Sequence, residues 1–129
     1  MEKRCITSPN SLPATAPYSH AVAVGNLLFV SGQVCLAPDG SGPKNSSFEV
    51  EVRQTLDNLK TILEDSGSGL QHVAKTTVFL SDMNNFAALN AIYREYFPDN
   101  QPARTCIQAG RLPLNLNVEV EAVAVIPGA

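Results

Sequence analysis

Two stretches of the sequence, Val22 to Val34 and Val73 to Leu80, are apolar at odd and even positions alike. Side chains alternate between the two faces of a β-strand, so a strand with this pattern is buried on both faces. The sequence has two helical patterns, which together can cover one face of a sheet. The second face needs a cover from outside the chain, so the pattern predicts a homo-oligomer, with a site at the edge of that face lying between subunits.

Periodicity places the other elements. Apolar stripes predict helices over Phe48 to Ser66 and Met83 to Phe97, the second capped by Ser81 or Asp82. A loop is predicted at Pro38 to Lys44. Six strands are predicted, at Arg4 to Thr7, Ser19 to Val24, Leu27 to Val34, Val73 to Leu80, Pro102 to Gln108 and Asn117 to Val125. The order β-β-β-α-β-α-β-β predicts a single α+β domain over residues 1–129.

Composition argues against several classes of protein. The net charge is −3 and Lys and Arg do not cluster, so binding to a nucleic acid backbone is not expected. Three cysteines without metal-site spacing predict neither a zinc site nor a disulfide framework. Apolar runs stay far below the roughly 20 residues of a membrane span, and no signal peptide is expected. A cytoplasmic protein without membrane association is the default prediction.

The last two predicted strands carry the candidate chemistry. Alternation puts Arg104, Cys106 and Gln108 on one face of the first strand, and Glu119 and Glu121 on one face of the second. The connection between them is too short for a helix, so the two strands are expected to be neighbours. The hypothesis is that Arg104 binds a substrate carboxylate while Glu119 handles a water molecule beside it. The alternative is an ion pair between Arg104 and one of the two glutamates.

Several segments together resemble the RidA family, also called YjgF/YER057c/UK114. Ala16–Ala21 is similar to the family's G-P-Y-S-Q-A, and Ser31–Gln33 matches its S-G-Q. The run K-T-T-V-F-L at residues 75–80, the P-A-R-T-C at 102–106, the R-L-P at 111–113 and the V-E-V-E-A at 118–122 match further family segments. Two positions depart from the pattern: Ala16 replaces a glycine and His20 replaces a glutamine, both beside Tyr18.

The resemblance implies a fold and an activity. It implies a chorismate-mutase-like (YjgF-like) mixed β-sheet with two helices packed on one face, assembled into a homotrimer with clefts between subunits. It implies a 2-iminobutanoate/2-iminopropanoate deaminase that converts imino acids and enamines to 2-oxo acids and ammonia without a cofactor or metal. The family's site residues carry over to Tyr18, Ser31, Gly32, Asn90, Arg104, Cys106 and Glu119.

The residue types fit that chemistry, although each has a plainer interpretation. Arg104 can bind a carboxylate through two parallel hydrogen bonds, and a carboxylate such as Glu119 can move protons at a C=N bond. Glu119 is preferred to Glu121 only through the family motif. Cys106 lacks a recognisable histidine partner, so it is expected to line the cleft rather than attack substrate.

The remaining candidates are more open. Ser31 and Gly32 either offer backbone N–H groups to a ligand or form a β-bulge. Tyr18 either closes the cleft or anchors packing, and Asn90 either serves the cleft or makes a helix-to-strand hydrogen bond. His20 is expected to be half-exposed on a strand.

Two other functions remain possible from the sequence. The chain could bind a small carboxylate such as a 2-oxo acid without turning it over, using the same Arg104. It could also be an endoribonuclease or translation inhibitor, although its acidic composition and the absence of a recognisable histidine acid–base pair disfavour that function.

Overall fold

The first helix forms from the longer of the two apolar stripes in the sequence. In the computed structural model, which describes residues 1–42 and 46–128, α1 spans Phe48–Asp65. The Ser47 side chain accepts a hydrogen bond from the backbone N–H of Val50, which caps the helix. Gly67 follows the helix with φ +84°, a conformation that favours glycine. Of the loop predicted at Pro38 to Lys44, positions 43 and 44 lie outside the described residues.

The second helix begins later than its periodicity predicts. A turn of 3-10 helix occupies Met83–Asn85, and α2 spans Phe86–Tyr96. The Asp82 carboxylate accepts a hydrogen bond from the backbone N–H of Asn84, so Asp82 rather than Ser81 provides the cap. The predicted start at Met83 is therefore correct for the turn but wrong for the α-helix. Neither helix within the described ranges has the length and hydrophobicity of a bilayer-spanning segment.

The strands form one mixed sheet, as predicted. Residues 1–42 and 46–128 contain six strands, β1 (Lys3–Ile6), β2 (Ala21–Val24), β3 (Leu27–Gln33), β4 (Val73–Leu80), β5 (Ala103–Gln108) and β6 (Val118–Val125). Their order across the sheet is β1-β2-β3-β6-β4-β5. The β4–β5 pair is parallel, with α2 as the crossover that parallel neighbours require, and the other pairs are antiparallel.

The prediction that the last two strands are neighbours is wrong. β4 lies between β5 and β6 and pairs with both. The connection from β5 to β6 contains one turn of 3-10 helix at Pro113–Asn115, with Leu114 at φ 58°. β6 is therefore paired along both of its edges, with β3 on one side and β4 on the other, whereas β5 is an edge strand.

The two faces of the sheet differ in their cover. On one face, strand residues such as Leu28, Val78 and Val120 are fully buried in a core shared with both helices. On the other face, which we call the open face, Phe29 is 44% exposed and Ile107 is 45% exposed. Burying such a side chain fully is worth about 1.5–3 kcal/mol, so an open face of this kind favours a further layer of protein.

Candidate functional site

Arg104 lies on β5 with its guanidinium against α2. It pairs in register with buried Thr76 of β4, so it is on the helix-covered face. Its Nη1 donates a hydrogen bond of 2.8 Å to Oδ1 of Asn90. Its Cζ is 4.9 Å from the ring centroid of Tyr93 and 5.5 Å from that of Phe86, distances at which the rings attract a cation. The amide and the two rings together hold the guanidinium in one orientation.

The positive charge of Arg104 has no acidic partner in the described part of the chain. The ion pairs within residues 1–42 and 46–128 all involve Arg53, so no carboxylate lies within 4 Å of the Arg104 guanidinium. The alternative of an ion pair with Glu119 or Glu121 is therefore wrong for the isolated chain. The guanidinium opens instead into a cleft of about 260 Å³, which we call the Arg104 cleft. Its lining is formed by Asn90, Tyr93, Arg94, Phe97, Gln101, Pro102 and Arg104.

Cys106 shares the face of Arg104 but is poorly suited to be a nucleophile. It is half-buried and packs against the core. Burial raises the pKa of its thiol, and the nearby Arg104 charge only partly opposes that rise. A thiol that stays protonated near neutral pH is a weak nucleophile, which agrees with the expectation that Cys106 does not attack substrate. The expectation that Cys106 lines the cleft is wrong for the cleft into which Arg104 opens in this chain.

Glu119 lies on the open face, near the middle of the sheet. It pairs with Phe79 of β4 and is half-buried. Burial raises the pKa of its carboxyl group, and the negative charge of Glu121 raises that pKa further. A carboxyl group with a raised pKa is a stronger base than an ordinary carboxylate, which favours its use as a proton acceptor that later returns the proton.

The absence of a side chain at Gly32 leaves room for the Glu119 carboxylate. A Cβ added at Gly32 would overlap the carboxylate oxygen and lie 3.0 Å from the Glu119 Cδ. The strand register shifts between Val30 and Gln33, so Ser31 and Gly32 form the bulge that the sequence left as an alternative. Glycine at this point therefore sets the position of Glu119, which a match to S-G-Q alone could not reveal.

Ser31 is part of this bulge and is held by hydrogen bonds, whereas Tyr18 lies near the bulge and is half exposed. The Ser31 hydroxyl donates to the carbonyl of Ser19 at 2.6 Å, and its backbone N–H donates to the carbonyl of His20 at 3.1 Å. The alternative in which the backbone N–H groups of Ser31 and Gly32 are offered to a ligand is thus wrong for Ser31. Tyr18 is 50% exposed and borders a small pocket with Gly32, so it does not serve as a packing anchor.

His20, the residue that departs from the family pattern, is built into the fold. It is 4% exposed rather than half-exposed as expected. Its Nδ1 accepts a hydrogen bond of 2.8 Å from the backbone N–H of Ser8, and its Nε2 lies 2.8 Å from the carbonyl oxygen of Leu12. This pairing fits the neutral tautomer with the proton on Nε2. The imidazole therefore ties the N-terminal segment to the sheet next to Tyr18.

The candidate residues fall into two groups on opposite faces. Asn90, Arg104 and Cys106 are on the helix-covered face, whereas Glu119, close to Gly32, is on the open face. A single chain therefore does not bring Glu119 beside Arg104, and their action on one substrate stays a prediction. Parity along each strand identifies which residues share a face within that strand, but it does not relate the face of one strand to that of another.

Sequence reasoning missed three residues around the guanidinium. Phe86 and Tyr93 were interpreted as members of an apolar stripe, and their ring faces in fact contact the Arg104 charge. Arg94 was not singled out, although it follows Asn90 by four residues and so lies on the same side of α2. Within residues 1–42 and 46–128, no group of three or more His, Cys, Asp or Glu side chains could hold a metal ion.

Comparisons with known proteins agree with the fold over nearly the whole chain. A family model described as endoribonuclease L-PSP matches residues 8–126. A RutC family protein of Synechocystis is 41% identical, covering 98% of this chain and 99% of that protein. The 2-iminobutanoate/2-iminopropanoate deaminase of Escherichia coli is 38% identical, covering 95% of this chain and 97% of that enzyme.

Solved structures give the same result. The crystal structure of the YjgF gene product of Escherichia coli has a TM-score of 0.88 at 38% identity, covering 95% of this chain and 98% of that chain. The structure of Escherichia coli TdcF with bound serine has a TM-score of 0.88 at 33% identity, with the same coverage of both chains. The α+β sheet with two helices is therefore the YjgF-like fold.

Proposed function

The chain belongs to the RidA/YjgF/RutC family, whose model is described as endoribonuclease L-PSP, and we propose that it hydrolyses 2-imino acids to 2-oxo acids and ammonia. The substrates would include 2-iminobutanoate and 2-iminopropanoate, after which a relative 38% identical is named. The observation that carries the proposal is the guanidinium of Arg104, fixed by Asn90 and without a carboxylate within 4 Å in the described residues.

Arg104 would bind the substrate carboxylate. Asn90 occupies Nη1, and the other N–H groups of the guanidinium make no hydrogen bond to residues 1–42 and 46–128. A planar donor with free N–H groups can bind a carboxylate through two parallel hydrogen bonds. This contact would hold the adjacent C=N bond in one place, so Arg104 and Asn90 would orient the substrate.

Glu119 would move the protons. Glu119 takes a proton from a water molecule as the water oxygen forms a bond to the carbon of the protonated imine, and the C=N π electrons move to the nitrogen, which gives a neutral carbinolamine. Glu119 then gives that proton to the nitrogen and takes the hydroxyl proton as the C–N bond breaks, so the 2-oxo acid forms and ammonia leaves. The remaining proton passes from Glu119 to ammonia, which leaves as ammonium and restores the carboxylate. The raised pKa of Glu119 suits a group that both accepts and donates a proton in one turnover.

The two groups of residues would meet between subunits. Because Arg104 and Glu119 are on opposite faces of the sheet, one chain cannot bring them to the same substrate. A second copy would supply Glu119, with Tyr18, Ser31 and Gly32 near it, to the Arg104 cleft of the first copy. The apolar open face, with Phe29 and Ile107, supports contact between copies, and a closed ring of three chains would give three such clefts.

The proposal is tested by generating the imine in the assay. Threonine dehydratase would release 2-iminobutanoate, and formation of 2-oxobutanoate and trapping by semicarbazide would be followed with and without the protein. Wild type should speed 2-oxobutanoate formation and reduce trapping. Arg104→Ala should lose this effect by a factor of about 10³, while Arg104→Lys, which keeps the charge but not the fork, should lose it almost as fully. Unchanged rates with wild type, or full activity in Arg104→Ala, would contradict the proposal.

A second candidate is a small-carboxylate binding module without turnover. The structure of TdcF with bound serine supports it, since that relative holds a small carboxylate. A thermal shift with 2-oxobutanoate that Arg104→Ala abolishes, together with no acceleration of imine hydrolysis, would favour this function. The family description also names an endoribonuclease, and salt-sensitive RNA binding in a gel-shift assay would be needed to support that activity here.

A further inference from the structure

The lining of the Arg104 cleft includes a second arginine, which the proposed reaction does not use. Arg94 lines the cleft together with Arg104 and Gln101. We propose that the cleft prefers 2-imino and 2-oxo acids that carry a second anionic group, and that Arg94 recognises this group. The inference rests on the proposed function, because it names the substrate class for the same cleft.

The position of Arg94 follows from the helix. Asn90 and Arg94 are four residues apart on α2, so they are neighbours on one side of the helix, one turn apart. Asn90 holds the Arg104 guanidinium, and Arg94 stands one turn farther along the same wall. A substrate whose first carboxylate is on Arg104 would therefore extend its far end along α2 towards Arg94.

The charges of the cleft are unbalanced. Its lining includes two arginines and no acidic side chain, in a chain whose net charge is −3. Neither arginine has a carboxylate within 4 Å among residues 1–42 and 46–128. Glu95, the acidic residue next to Arg94 in sequence, instead pairs with Arg53 at 2.9 Å. An acid with one charge would satisfy Arg104 alone, whereas a dianion would satisfy both arginines.

The plain alternative is that Arg94 is a solvated cation of a surface helix. Arg94 is exposed, so its contribution to binding should be moderate and should weaken as salt screens it. A solvated cation would not distinguish between ligands with one and two carboxylates beyond the general attraction of any surface charge. A control at another exposed cation separates these two cases.

The experiment compares two probes by isothermal titration calorimetry on the full-length protein at low and moderate salt. The probes are 2-oxobutanoate, with one carboxylate, and 2-oxoglutarate, with two. Wild type should bind 2-oxoglutarate about 5- to 10-fold more tightly at low salt, and the preference should shrink as salt is added. Arg94→Gln should remove the preference, lowering the affinity for 2-oxoglutarate much more than the affinity for 2-oxobutanoate.

Lys60→Gln is the matched control, since Lys60 is an exposed cation on α1 and its loss changes the net charge equally. It should leave the preference intact. Equal affinity for the two acids in wild type, no binding of either acid, or a preference that survives in Arg94→Gln would overturn the inference. Failure of the proposed deaminase would appear separately, as unchanged imine hydrolysis in a protein that still binds and distinguishes the two acids.

Discussion

The Arg104 cleft and the surroundings of Glu119 are opposite in nearly every property. The cleft is on the helix-covered face at the edge strand β5, and its Arg104 cation lies near two aromatic rings with no carboxylate within 4 Å among residues 1–42 and 46–128. Glu119 is on the open face of central strand β6, where burial and Glu121 raise the pKa of its carboxyl group. In the proposed function, the first region binds an anion and the second holds or releases a proton.

Neither region by itself is therefore a complete site for hydrolysis of an imine. Binding without proton transfer would give a sensor, and proton transfer without binding would leave the substrate unoriented. The separation of the two regions by the sheet itself makes assembly a condition of the proposed activity. Variants that affect one region should therefore change a different kinetic parameter from variants that affect the other.

The largest effect should come from two variants that each inactivate one of the two regions. Arg104→Ala and Glu119→Gln should each lose imine hydrolysis by a factor of about 10³ or more. Subunits of the two variants refolded together should regain about a quarter of wild-type activity, because one site in four pairs an intact Arg104 with a neighbour's intact Glu119. The deaminase assay on mixtures of known ratio measures this.

Refolding each variant alone provides the control, and it should stay inactive. Mixtures no more active than the separate variants would show that Arg104 and Glu119 of different chains do not share a site. A protein that sediments as a monomer would contradict more directly the proposal that the site forms between subunits.

The second effect tests the Glu119 region without touching its carboxylate. Gly32→Ala adds a Cβ where the Glu119 carboxylate lies, and Gly32 does not have positive φ, so the backbone should tolerate the change. The side chain of Glu119 should move aside, lowering kcat about 100-fold while the protein stays folded and binds 2-oxobutanoate normally. Steady-state kinetics and a thermal melt measure the two parts.

Gly110→Ala is the matched control, because a Cβ added there would have no heavy atom within 4 Å. It should retain wild-type kcat. If Gly32→Ala kept full activity, the close packing of Gly32 against Glu119 would not matter for the proposed chemistry.

The third effect tests the cation of the cleft. Asn90→Asp puts a carboxylate 2.8 Å from Nη1 of Arg104. This carboxylate would form an ion pair with Arg104 and weaken the attraction of the guanidinium for the substrate carboxylate. We expect KM to rise about 30-fold with kcat changed much less, the reverse of the Gly32→Ala pattern. Asn84→Asp, an exposed change of the same charge in the 3-10 turn before α2, serves as a charge control. A loss in kcat alone would contradict a binding role for Arg104.

The order of helices and strands could be predicted because periodicity is local. The strand order could not, because the insertion of β6 between β3 and β4 depends on pairing over long distances in sequence. The same holds for His20, whose burial depends on hydrogen bonds with Ser8 and Leu12 in an irregular segment.

The candidate site shows the same limit. The residue types at 104 and 119 came from motifs, and parity gave the neighbours of each along its own strand. The relation between them depends on β4, which separates their strands and pairs with both. Arg94 carried a usable signal in its spacing from Asn90, but that signal gains meaning only once Asn90 is seen to hold Arg104.

The smallest effect concerns the electrostatics around Glu119. The charge of Glu121 raises the pKa of Glu119, so Glu121→Gln should lower it. Glu119 must be ionised to take a proton from water, and the rate therefore falls as pH drops through its pKa. The acid limb of kcat/KM should move to lower pH, which makes the variant faster than wild type on that limb and equal to it at higher pH. Glu64→Gln, an exposed change of the same charge on α1, should leave the limb in place. Because substrate ionisation is common to all three proteins, a difference between their profiles reports the enzyme alone. A limb that stays fixed in Glu121→Gln, or moves to higher pH, would remove Glu119 from the proton-transfer step and leave the Arg104 cleft as a binding site only.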